Sequence, residues 1–279
     1  MSNRVRKIKD FLMRYSLITV MCLIIIIPIL ILFIASFKSN MEFASTAVFE
    51  LPESFDISNY ISVFERGNFG IAFLNTFIIL IFSILINIIT GSMLAYALGR
   101  FEFKGKNIII LLIMAARVIP TITTQVAVFT VIRDLGLFNT LLAPIILYAG
   151  TDVVQIFLYL QFVNSIPYDL DESAKIEGAS YFKIYRSLIF PLLKPVTVTT
   201  AILKTVTIYN DMYIPYLYLP STQKSVVSTA IMKFCGSAYG AQVPVMAAAF
   251  IVAMIPMLLI YILAQRLIFA GLTSGAVKA

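Results

Sequence analysis

The sequence predicts an all-α polytopic membrane protein with six transmembrane helices. Of its 279 residues, 60 % are hydrophobic and 13 % charged, against roughly 25 % charged in a soluble domain. Mean hydropathy is +0.95. Apolar runs cover about 16–36, 70–97, 108–132, 140–163, 196–218 and 243–268, each near or above the roughly 20 residues a bilayer requires.

The first run follows Arg4, Arg6, Lys7, Lys9 and Arg14. It is too long for the apolar core of a secretory signal and lacks a small-residue cleavage site, so it reads as a transmembrane helix. The second and third runs are joined by the short basic turn Arg100 to Lys106. Lys and Arg then set the orientation. With the N-terminus inside, the inner segments hold fourteen: five in the tail, three at 100–106, four at 175–194, and Arg266 and Lys278. The outer segments hold Lys38, Arg66, Arg133, Lys224 and Lys233. Both termini and the 164–195 loop are therefore expected in the cytoplasm of a cell-membrane protein, with 37–69 and 219–242 outside. The expected organisation is 1–69 (tail, first helix, outer loop), 70–268 (a five-helix core carrying the loop 167–192), and a C-terminal tail at 269–279.

Pro167 to Pro195 is the longest polar interval in the second half of the chain. Asp169, Asp171 and Glu172 favour a helix start, Gly178 favours a bend, and Ser180 can cap a second helix limited by Pro191 and Pro195. Tyr181, Ile184, Tyr185 and Leu188 fall at i, i+3, i+4 and i+7, an apolar stripe; Lys183 and Arg186 face elsewhere. Pattern alone leaves two readings open: an interfacial amphipathic loop without a partner, or a docking element.

The chain contains no histidine, and its two cysteines, Cys22 and Cys235, lie far apart. Neither a metal site nor a disulfide is inferred. The formal charge of +7 is not gathered into a basic run interleaved with aromatics, so no nucleic-acid partner is expected. Gly99 to Asn107, GRFEFKGKN, misses the phosphate-binding loop pattern in spacing and in its final residue. An ATPase driving this chain would be a separate subunit, and no cofactor is expected here.

Charges inside spans are expensive and point to function. Thr197, Thr200, Lys204, Thr207 and Asp211 form one drifting stripe on the fifth run. Arg117, Thr121 and Thr124 repeat at i, i+4 and i+7 on the third. Asp152 and Gln155 stand near the end of the fourth. These groups could line a water-filled path, or Lys204 and Arg117 could pair internally with Asp152 and Asp211. Tyr209, Tyr213, Tyr216 and Tyr218 could form an interfacial belt or in part a sugar-stacking surface. The 37–69 loop, rich in acidic residues, could be filler over headgroups or a cap for an external partner.

Several stretches resemble a known family. Glu172-Ser173-Ala174, Gly178-Ala179 and Ile189-Phe190-Pro191 are similar to the E-A-A…G…(I/L)-x-P loop of bacterial ABC-importer permeases, with Ser173 for the first Ala and Glu177 for the frequent Asp. Asp56 to Phe64 (DISNYISVF), Phe73-Leu74-Asn75-Thr76, Leu94 to Arg100 (LAYALGR), Ala116 to Pro120 (ARVIP), Leu135 to Thr140 (LGLFNT), Tyr209 to Pro215 (YNDMYIP) and Gln265 to Lys278 resemble further motifs of the carbohydrate branch, which includes the six-span permease of the maltose importer. Together they cover nearly the whole chain.

The resemblance implies a type I ABC-importer permease fold. It also implies a heterodimer with a homologous sister permease, two cytoplasmic ATPase subunits that hold ATP and magnesium, an extracytoplasmic sugar-binding protein, and no catalysis by this chain. Within it, Asp171, Glu172, Ala174, Gly178, Ala179, Tyr181 and Arg186 fall in the loop that couples to the ATPases. Gly271, Thr273, Gly275 and Lys278 fall in a tail that reaches the same interface. Asn75, Arg117, Thr121, Asp152, Lys204, Asp211 and Tyr213 are the candidates for the translocation path. The rival expectation is a stand-alone ion- or proton-coupled transporter using Arg117, Lys204, Asp152 and Asp211 as a relay. A membrane scaffold is disfavoured by the polar stripe.

Overall fold

The computed structural model describes residues 3–116, 118–236 and 242–274, with side chains described for 13–116, 118–120, 122–236 and 242–265. Among the described residues every regular element is helical. In chain order these are α1 (Asn3–Ala35), α2 (Asn40–Ser45), α3 (Ser58–Glu65), α4 (Phe69–Arg100), α5 (Lys106–Ala116), α6 (Thr121–Asp134), α7 (Leu142–Ala149) and α8 (Val153–Ser165). Then come α9 (Asp169–Ile176), α10 (Tyr181–Ile184), a π-helical turn (Tyr185–Ile189), α11 (Phe190–Leu192), α12 (Lys194–Asn210), α13 (Tyr213–Tyr218), α14 (Val227–Ala230) and α15 (Val243–Ser274), with short 3-10 turns at Thr222–Lys224 and Ile231–Phe234.

Among the described residues three helices are long and apolar enough to cross a membrane: Met13–Ala35, Phe69–Arg100 and Val243–Gln265. Among the described residues two further helix pairs are apolar enough only when taken together, and each is sharply bent. Leu142–Ala149 with Val153–Ser165 bends by 48°, and Tyr181–Leu192 with Lys194–Asn210 by 74°. The run expected as one helix over 108–132 is instead two, α5 and α6. Pro120, extended at ψ 128° as the cap of α6, lacks an N–H and disfavours helical geometry in the residue before it. The run expected over 196–218 stops at Asn210, where Asp211 turns extended, and resumes as the short α13. The helix expected to end at 268 runs on through Gly271 and Thr273 to Ser274.

The described residues divide into two compact units, one from Met1–Phe69 with Ala230–Ile255 and the other from Gly70–Thr229 with Pro256–Ala279. In the first, the 37–69 segment is ordered by specific bonds. Ser39 and Glu42 form a reciprocal cap at the start of α2, the arrangement that satisfies two free N–H groups at once. Lys38, only 2 % exposed, donates from Nζ to Thr46 Oγ1 at 2.8 Å and the Ala47 carbonyl at 3.1 Å. Asn59 Nδ2 donates to the carbonyls of Ser36 and Lys38, both at 2.9 Å. The Ser58 hydroxyl and N–H beside Asp56 hold its carboxyl below the usual carboxylate range. At Gly67 a Cβ would lie 2.3 Å from the Val63 carbonyl, so no larger residue fits this close turn.

The core of the second unit is built where α4, α8 and the 181–196 stretch meet. Ala95, Leu98, Tyr159, Val163, Ile184, Ile189, Leu193 and Val196 are all buried there. Gly99 permits the approach of α4 to α8, since a Cβ would sit 2.6 Å from Val163 Cγ1. A smaller cluster joins Ile132, Ala143 and Tyr218.

Candidate functional site

The bent segment follows from local chemistry. Acidic Asp169, Asp171 and Glu172 occupy the first turn of α9, where they complement the free N–H groups of the helix start. Gly178 ends α9 at φ +81°. Its N–H bonds the Lys175 carbonyl and the Ala179 N–H bonds the Ala174 carbonyl, both at 2.9 Å. This is the paired closing pattern of a left-handed helix cap, which favours glycine. Ser180 then accepts from the Lys183 N–H at 3.3 Å and opens α10.

The expected stripe is only partly present. Ile184 and Tyr185 are buried, but Tyr181 is 53 % exposed, and Ile189 and Leu193 complete the buried face. The cause is the π-turn, in which Phe190 N–H reaches back to the Tyr185 carbonyl. Pro191 has no N–H for the Ser187 carbonyl and its ring would crowd it in a regular α-helix. The widened turn moves the inward positions to 184, 185, 189 and 193.

The two sides of this segment differ sharply. Ala174 and Ala179 pack against the buried cluster. Glu172, Gly178, Tyr181 and Arg186 are exposed. Ile176 at 87 % and Phe182 at 60 % exposure add apolar area to the outer side, and charge patterning did not flag them. Asp171 does not belong to that side. It is buried against Arg100, with Nη2 and Oδ2 3.2 Å apart. Arg100 also donates from Nη2 to the Ile166 carbonyl at 2.9 Å, and its guanidinium lies 5.7 Å from the Tyr168 ring centre. Lys175 stands over Tyr168 and Tyr181 at 5.5 and 4.9 Å, a favourable cation–ring geometry.

A second cluster surrounds the break between α7 and α8. Asp152 caps α8 by accepting the Gln155 N–H at 2.9 Å. Carbonyls freed at the break find donors in other helices, as backbone groups at membrane depth require. Asn87 Nδ2 donates to the Gly150 carbonyl at 2.8 Å, and Lys204 Nζ donates to it at 3.2 Å. Gln155 Nε2 donates to Asn87 Oδ1 at 2.6 Å. A cavity of about 250 Å³ opens beside these groups, lined by Asp152, Gln155, Leu158, Thr200, Lys204 and Thr207 among others. Two expected path residues, Asp152 and Lys204, thus share one cavity.

The other candidates lie elsewhere. Asn75 is buried and donates from Nδ2 to the carbonyls of Gln223 and Ser225, each at 3.0 Å; it ties the 222–225 turn to α4. Asp211 accepts the Tyr213 N–H at 2.7 Å and the Tyr148 hydroxyl at 2.8 Å, starting α13. Tyr213, half exposed, lines an open groove with Ile122, Gln125, Val126, Phe129 and Leu217. The four tyrosines do not form one surface: Tyr209 and Tyr218 are buried, Tyr213 and Tyr216 exposed. Arg117, Gly275 and Lys278 lie outside the described residues, as do the side chains of Thr121 and Thr273.

Residues 87–274 match the family described as "Binding-protein-dependent transport system inner membrane component". The chain is 36 % identical over 254 residues to the melibiose/raffinose/stachyose import permease protein MelC of Bacillus subtilis, covering 90 % of this chain and 91 % of that one. It is 35 % identical over 262 residues to the probable starch degradation products transport system permease protein AmyC of Thermoanaerobacterium thermosulfurigenes, covering 93 % and 94 %. A crystal structure of a bacterial ABC transporter involved in the import of the acidic polysaccharide alginate superposes with a TM-score of 0.84 at 22 % identity, over 95 % of this chain and 98 % of its counterpart. At that identity the likeness establishes the fold.

Proposed function

The chain belongs to the inner membrane components of binding-protein-dependent transport systems, and from that premise we propose that it is the permease subunit of an ATP-driven importer of oligosaccharides. The carbohydrate class rests on the relatives, whose names give melibiose, raffinose and stachyose, and starch degradation products. A homologous sister permease completes the translocation path, an extracytoplasmic binding protein delivers the sugar, and two cytoplasmic ATPases supply the work. Both termini and the 167–192 loop face the cytoplasm, in keeping with the Lys and Arg bias. The chain itself makes and breaks no covalent bond.

One observation carries the mechanism. The bent segment presents Glu172, Ile176, Gly178, Tyr181, Phe182 and Arg186 outward, while its inner face is fused to the buried cluster of α4, α8 and α12. An element held this way moves the spans when its outer face is pushed. ATP-driven closure of the ATPases displaces the segment, the helices rock, and the path opens to alternate sides. Asp152, Lys204, Gln155, Thr200 and Thr207 line part of that path. Their opposite charges and hydroxyls offer donors and acceptors suited to a polyol.

Purification from the native membrane tests the assignment. ATPase subunits that co-purify and are released by Glu172→Ala support it. Uptake by this chain alone in vesicles, driven by an ion or proton gradient, would replace it with a secondary transporter.

A further inference from the structure

The Arg100–Asp171 pair is the most deeply buried ion pair among the described residues, with side chains 6 % and 3 % exposed. It joins the last residue of α4 to the first turn of α9, across 71 positions of sequence. We infer that this pair is a latch that fixes the docking segment to the end of α4 and makes α4 the first span to receive its motion. The inference rests on the coupling role proposed above. It reassigns Asp171 from the docking surface to the inner mechanism.

Three features favour a positioning role over simple cohesion. First, the pair is incompletely satisfied. Arg100 Nε and Asp171 Oδ2, though buried, make no hydrogen bond. Buried pairs of this kind add little net stability over an apolar replacement, and they are best attested as devices that fix register. Second, Arg100 is held from several directions. It bonds the Ile166 carbonyl at the end of α8, lies beside Tyr168 at the entrance to α9, and meets the Asp171 carboxylate inside α9. Its planar, forked guanidinium can hold such positions in a fixed geometry where an ammonium would pivot. Third, the surroundings are closely packed. Tyr96 on α4 packs on Phe101 and Tyr185, with ring centres 5.6 and 5.5 Å apart. Phe101 packs on Tyr181 at 5.0 Å, and Ser92 shares a 2.7 Å hydrogen bond with Tyr185. A displacement of the 169–185 segment therefore meets α4 through the charge pair and through stacked rings along one side.

The test uses the whole complex purified from its native membrane, with hydrogen exchange read by mass spectrometry in the absence and presence of magnesium-ATP and orthovanadate. In the unaltered complex, trapping changes exchange both in 167–192 and at the 90–100 end of α4. In Asp171→Asn the change at 167–192 persists and the change at 90–100 is lost. The double variant Arg100→Met/Asp171→Leu removes the charges without leaving one unpaired, so it regains the melting temperature of the unaltered complex. It still fails to pass the change to 90–100. A double variant that restores both stability and the α4 response overturns the latch and leaves mere cohesion. An unaltered complex in which 167–192 responds and 90–100 does not also overturns it, with the coupling reading intact. No response at 167–192 in the unaltered complex overturns both.

Discussion

Gly178 offers a test in which backbone and bulk separate. The residue sits at φ +81°, a conformation that costs an L side chain about 1–2 kcal/mol. A Cβ built there meets no heavy atom within 4 Å, so within this chain a larger side chain adds no clash. Gly178→Ala therefore weakens the bend by about 1–2 kcal/mol, a factor of roughly 5–30 in its population relative to a frayed loop. Gly178→Asn costs less, because Asn tolerates the left-handed region. Gly178→Val costs most, because a β-branched residue is an outlier there. In the purified complex, ATP hydrolysis responsive to the loaded binding protein should fall in the order Gly, Asn, Ala, Val while the subunits stay together. If Asn is as damaging as Val, the harm comes from bulk against the docked ATPase, and the backbone argument is refuted.

Two further outcomes follow from the path candidates. Asn75→Leu leaves the Gln223 and Ser225 carbonyls without their donor. At about 1–3 kcal/mol for each group left unsatisfied, the variant should melt earlier and assemble poorly, as read by thermal unfolding of the purified complex; normal stability with altered sugar selectivity would make Asn75 a path residue after all. Lys204→Met keeps the volume and removes the charge from the wall of the 250 Å³ cavity. Sugar uptake by the intact importer should drop at least several-fold while the subunits co-purify in normal ratio, and a loss of assembly alone would assign Lys204 to structure.

What sequence could and could not reveal follows from the range of each interaction. The helix–bend–helix of 167–192 is legible because its causes are local: acids in a first turn, a glycine at a positive φ, a serine cap, prolines at the limit. The latch is not, because Arg100 reads only as a basic residue beside a turn and Asp171 only as a helix-start acid. Their contact depends on how α4 and α9 pack. Hydropathy finds the apolar runs but passes over their breaks. Gly150 to Asp152 is too short an interruption to lower an average over 140–163, yet it bends the pair by 48°. Pro120 is visible, and its consequence for 108–132 is foreseeable from its missing N–H. The π-turn is not, so periodicity put Tyr181 on one stripe with Ile184 and Tyr185, where the structure buries those two and leaves Tyr181 exposed. Asn87 carries no motif at all; its role appears only when the freed Gly150 carbonyl comes to face it.

The carboxylates decide between an externally powered permease and a proton relay. Asp152 and Asp211 both stand at helix breaks, and both act there as acceptors. Asp152 receives the Gln155 N–H. Asp211 receives the Tyr213 and Ile214 N–H groups and the Tyr148 hydroxyl. A relay carboxylate takes up and releases a proton in every cycle, and protonation turns part of its acceptor capacity into a donor. Each cycle would then disturb a cap of about 0.5–2 kcal/mol at the start of α8 or α13. Capping needs an oxygen; a relay needs an ionisable group. Asn is as good a cap as Asp and cannot ionise. Asp152→Asn and Asp211→Asn should therefore keep assembly and most ATP-driven uptake. Abolished uptake in an intact complex, in either variant, would return these residues to a proton path and place the driving force inside this chain.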